Sequence, residues 1–94
     1  MTLRFTIPRR VARVVDFSEV ERLAREGAVD QPKIEQSRRH IEWTRVTCSR
    51  ETAVFLVQAL QRVAAGAEEV GDRELHDAAV SAATTVLSAK DILP

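Results

Sequence analysis

Three side chains offer metal-ligand or nucleophile chemistry: His40, Cys48 and His76. A metal centre needs three or four His, Cys, Asp or Glu groups converging on one point. His40 and Cys48 stand in a stretch that alternates like a strand, which sets them about 26 Å apart at roughly 3.3 Å per residue. His76 has Glu74 and Asp77 beside it, and neither makes an i, i+4 ligand pair with it. A cysteine nucleophile needs a lowered thiol pKa and a base at hand. Cys48 precedes a helix start, where a thiol pKa can fall, yet no second feature ties either histidine to it. It reads as a buried structural thiol.

The remaining catalytic patterns are missing. The glycines, Gly27, Gly66 and Gly71, are never grouped, so neither a P-loop nor a dinucleotide fingerprint exists. No serine, histidine and acid are singled out as a triad. With three phenylalanines, one tryptophan and no tyrosine, an aromatic-lined pocket is not expected. The chain is read as non-enzymatic, with no cofactor and no metal.

Charge supplies the other chemistry. Arg9, Arg10 and Arg13 form one cluster, and Arg38 and Arg39 another. Arginine is suited to bidentate phosphate and guanine contacts. Residues 1–50 carry eleven Lys/Arg against seven Asp/Glu, a balance of +4, and residues 51–94 carry three against seven, a balance of −4. Such a division fits a nucleic-acid surface on the basic half, or two halves that attract each other within or between chains. Phe5 and Trp43 are placed in the core, so the aromatic interleaving of single-strand binders is not expected. Solvated strand faces and protected sheet edges account for the arginines equally well.

The elements that must carry these residues follow from periodicity. Thr2–Ile7 alternates, with Leu3, Phe5 and Ile7 inward, and Pro8 ends the strand or marks a sheet edge. Residues 9–15 fit either a helical turn or a strand, and their valines tip the balance to a second extended piece. Ser18 and Glu21 form a capping box with Phe17 before it, opening a short helix that ends near Gly27. Residues 28–37 read as a loop or a frayed approach to a strand.

A strand over His40–Cys48 comes next, with Ile41 and Trp43 on one face and Val46 and Cys48 on the other. That split predicts burial on both faces toward its end, or a bulge near Thr44–Arg45. Trp43 is expected to pack on a helix. Ser49 then caps a long helix, Arg50 to about Ala67, whose core stripe is Ala53, Leu56, Val57, Leu60, Val63, Ala64 and Ala67. Gly66 or Gly71 ends it, and Asp72 caps a final helix reaching about Lys90, a favourable residue near the negative helix end. Its seam is Leu75, Ala78, Ala79, Ala82, Val86 and Ala89. The short connection predicts an antiparallel helical hairpin.

The expected fold is α+β: one domain over residues 1–94, a sheet of two or three strands, a short helix, and a C-terminal helical hairpin packed on the sheet. No apolar run exceeds the length of Ala53–Val57, too short to span a membrane. The N-terminal ten residues lack the apolar core of a signal peptide, and a single cysteine suits a reducing compartment, so a cytoplasmic location is expected.

Some apolar residues exceed what one core needs. Phe55 falls on the polar side of the long helix among Glu51, Gln58 and Arg62, while Val80, Ala83 and Leu87 add a second strip to the final helix. Phe55, Arg62, Val80, Ala83 and Leu87 are therefore the expected interface of a protein–protein interaction module, self-associating as a homodimer or meeting another protein. Coverage by the short Ser18–Gly27 helix or the N-terminal strand is the ordinary alternative. The other functional reading is a nucleic-acid-binding protein using Arg9, Arg10, Arg13, Arg38 and Arg39.

Overall fold

The computed structural model describes residues 2–36 and 42–89. Seven elements follow one another: β1 (Thr2–Pro8), α1 (Arg9–Ala12), α2 (Ser18–Arg25), β2 (Lys33–Gln36), β3 (Trp43–Ser49), α3 (Arg50–Glu69) and α4 (Arg73–Ser88). The strands form one antiparallel sheet in the order β1-β3-β2, and α3 and α4 form the helical hairpin. This is the α+β architecture that the periodicity predicts.

The alternation in β1 translates directly into burial: Leu3, Phe5 and Ile7 are buried while Thr2, Arg4 and Thr6 are exposed. The same holds in β3, where Thr44, Val46 and Cys48 point inward. The β1–β3 register runs without interruption from Thr2 opposite Ser49 to Pro8 opposite Trp43. No bulge interrupts Thr44–Arg45. The outer sheet face is simply solvated, so the two-sided character of the strand needs no backbone irregularity.

Ser49 caps α3 as expected. Its Oγ accepts the Thr52 N–H at 3.2 Å, and Glu51 occupies the first turn. The stripe Ala53, Leu56, Val57, Leu60, Ala64 and Ala67 is buried and Val63 half-buried. Leu60 is 2% exposed, and full burial of a leucine contributes about 1.5–3 kcal/mol. Gly71, not Gly66, ends the helix. At φ +74° it lets its own N–H reach the Glu68 carbonyl and the Asp72 N–H reach Ala67. Gly27, at φ +78°, closes α2 by the same pairing onto Ala24 and Leu23. Asp72 then caps α4 through the Leu75 N–H at 3.0 Å.

Two local expectations need correction. Residues 9–12 are a helical turn rather than a second extended piece. Pro8 supplies a fixed φ of −58° ahead of it, and the Arg13 N–H returns to the Arg9 carbonyl. Val11 then faces the core, fully buried. At α2, Ser18 is the first helical residue and not the cap. The Asp16 carboxylate accepts the Ser18 N–H at 2.9 Å, and the bonds from Ser18 hold the Asp16 carboxyl below its ordinary pKa. Phe17 is half-buried and packs on the core. The final helix stops at Ser88, short of the expected Lys90, because Ala89 is already extended at ψ 137°. Arg38, Arg39, His40 and Ile41 lie outside the described residues.

Candidate functional site

α1 is short, but it sets the geometry at one end of the sheet. The Arg9 N–H donates to the Glu42 carbonyl at 2.8 Å, which closes the corner between β1 and the start of β3. Arg10 pairs with Glu74 of α4 at 3.2 Å. Between these elements opens a groove of about 540 Å³ lined by Pro8, Arg9, Arg10, Arg13, Glu42, Trp43 and Ala78. Trp43 is not in the core. It stands on the outer sheet face opposite Pro8, 43% exposed. Its parity with Arg45 and Thr47 was the signal, because residues two apart on a strand share a face.

The structure therefore brings the first arginine cluster together with the single tryptophan. Arg9, Arg10 and Arg13 all line the Trp43 groove. An exposed indole in a groove lined by arginines can stack a ring, hold an acidic group, or anchor a protein interface, where Trp and Arg are enriched. One acid, Glu42, sits in the same groove. Arg38 and Arg39 lie outside the described residues and cannot be related to it.

The hairpin residues are divided. Phe55 is half-buried and packs against the core, and Ala83 is buried at 7% exposure. Arg62 reaches across to Glu19 of α2 at 2.9 Å, so the side of α3 carrying Phe55, Ala59 and Arg62 is the side that α2 flanks. Ala59, on that side, is buried. Phe55 is thus occupied within the chain, as the alternative of an α2 cover anticipates. Val80 and Leu87 remain open to solvent, Leu87 at 69%. They share one helical side, seven positions apart. Val54, which the sequence pattern passed over, is also exposed.

A third region concerns β2. Its register places Ile34 opposite Val46 and Gln36 opposite Thr44, on the inner sheet face, with Lys33 and Glu35 outward. Yet every residue of β2 is exposed, Ile34 at 42%. Beneath it lies an open space of about 320 Å³ bounded by Arg9, Ala12, Arg13, Phe17, Ile34, Gln36 and Thr44.

Among the described residues no group of three His, Cys, Asp or Glu could hold a metal ion. Cys48 is buried, and burial, with a smaller push from the Asp30 carboxylate, raises its thiol to about 11. It stays protonated at neutral pH and is no nucleophile. His76 Nδ1 lies 3.1 Å from the carboxylate of its neighbour Asp77. No helix among the described residues is long and apolar enough to cross a membrane. No protein-family model, curated protein or solved structure matches the chain.

Proposed function

We propose that the protein is a small non-catalytic protein–protein interaction module that self-associates, and that its groove at Trp43 holds an acidic segment of a partner protein. The observation that carries this reading is the exposed indole set among Arg9, Arg10 and Arg13. Residues of these two types dominate the binding energy of protein interfaces. Uncovered apolar side chains elsewhere, at Ile34, Val54, Val80 and Leu87, support association with other polypeptide surfaces.

A second reading, single-stranded nucleic acid on the same groove, is favoured by one observation: the tryptophan needed for base stacking is exposed beside the arginines. Charge weighs the other way. Glu42 shares the groove, Arg10 is already paired with Glu74, and the chain as a whole is neutral.

Trp43 is the single tryptophan, so its fluorescence reports on the groove directly. A glutamate-rich peptide is expected to shift its emission, and Arg13→Glu to abolish the shift. An oligonucleotide response that falls steeply with salt, with no peptide response, moves the function to nucleic acid. Silence with both removes the groove as a site for acidic ligands. Light scattering at high micromolar concentration checks self-association separately, and a monomer mass overturns that part.

A further inference from the structure

We infer that Arg9 and Arg13 together clamp one carboxylate of the partner's acidic segment, and that an apolar side chain next to it fills the hollow between Phe17 and Ile34. The inference rests on the reading of the Trp43 groove proposed above and specifies the partner: an acidic stretch interrupted by an apolar residue. Two hollows carry it. The Trp43 groove and the open space at Ile34 have Arg9 and Arg13 as a common wall, and among the described residues these two alone line both. A ligand that crosses from one hollow to the other passes over their guanidinium groups.

Charge identifies what lies on that wall. The Arg13 N–H bonds the Arg9 carbonyl, so the two arginines stand one helical turn apart, where like charges repel. Arg9 is half-buried, and partial burial strengthens the repulsion. Arg10 and Arg62 have acidic partners in Glu74 and Glu19, but among the described residues neither Arg9 nor Arg13 has one. Glu42 lines the first hollow without forming an ion pair to either. Residues 37–41, which lead into Glu42, contain no Asp or Glu to supply the missing charge. A carboxylate between the two guanidinium groups relieves their repulsion and accepts from both. The second hollow selects its neighbour. Thr44 Oγ1 donates to Gln36 Oε1 and Gln36 Nε2 to the Trp43 carbonyl, so its polar lining is already bonded within the chain. Ala12, Phe17 and Ile34 are left to decide what enters, and an aliphatic side chain covers Ile34 where it is exposed.

The test follows Trp43 emission with two short peptides, a run of glutamates with one leucine at its centre and the same run with serine there. The wild type should hold the leucine peptide about tenfold more tightly, the low end of what burying a leucine contributes. Ile34→Ser should bring the two peptides level. Arg9→Gln and Arg13→Gln should each weaken the leucine peptide about tenfold, as loss of a charged hydrogen bond does. Arg25→Gln removes the same charge from α2, away from both hollows, and should change binding far less. Circular dichroism checks that each variant folds, and the comparison of the two peptides on the wild type needs no variant. Equal binding of the two peptides, or a leucine preference that survives Ile34→Ser, overturns the role of the second hollow. Arginine variants no weaker than Arg25→Gln overturn the clamp. In both cases the reading of the Trp43 groove stands. Silence with both peptides, or a response to an oligonucleotide alone, removes that reading and this inference with it.

Discussion

The two outer strands of the sheet, β1 and β2, hydrogen-bond to the same central strand, and the protein treats them very differently. β1 has seven residues and buries every second one, with α4 packed beneath it. β2 has four residues and buries none. Both carry an apolar residue directly opposite Val46, Phe5 on one side and Ile34 on the other, yet Phe5 is buried and Ile34 is not. Strand pairing alone therefore buries little. Burial comes from what lies under the sheet, and the helical hairpin covers the β1 side. β2 is held instead by polar ties, Gln36 Nε2 to the Trp43 carbonyl and Thr44 Oγ1 to Gln36 Oε1, and the segment leading into it by Thr52 Oγ1 to the Asp30 carbonyl, all at 2.9 Å.

The largest expected difference is a truncation on each side of Val46. Phe5→Ala should cost about 3–5 kcal/mol, because it leaves a cavity between sheet and hairpin. A change in urea midpoint no larger than that of Ile34→Ala would break the comparison.

Cys48 sharpens it through pH. Opposite Leu3 on the covered side, its thiol is raised from 9.0 to about 11. The unfolded chain ionises first, so this contribution is fully present below pH 9 and is lost as pH rises toward 11, by roughly 2–3 kcal/mol at 1.36 kcal/mol per unit. Stability measured across that window should fall, and Cys48→Val should flatten the fall. An equal alkaline decline in the variant would mean that the thiol is not shielded.

The ties to β2 come next. Thr52 is fully buried and its hydroxyl lies 3.0 Å from Ser49 Oγ as well as bonding Asp30. Thr52→Val should cost about 1–3 kcal/mol through the unpaired carbonyl and hydroxyl it leaves. Hydrogen exchange should accelerate in β2 while β1 stays protected; uniform acceleration would erase the distinction between the strands.

Ile34→Ala is expected to have the smallest effect, within about 0.5 kcal/mol at concentrations where the chain is monomeric. A larger loss there would show that Ile34 already has a partner in the monomer.

Sequence by itself determined whatever depends on neighbours along the chain. The alternation of β1, the Ser49 and Asp72 caps, the glycine end at Gly27 and the stripe through Leu60 were all legible, because each is a local rule of backbone geometry or period; the choice of Gly71 over Gly66 as the end of the long helix was not. What only the tertiary structure decided was which apolar residues would find cover. Trp43 and Phe55 are both large aromatics, yet Trp43 was left on the open sheet face and Phe55 was drawn toward the core on the side flanked by α2. Ala83 was buried in the hairpin and Leu87, four residues on, was not. Residues 9–12 form a helical turn rather than a strand, and that turn places Val11 in the core. Period tells which residues share a face, but the number of helices available to cover each face is a property of the whole packed chain.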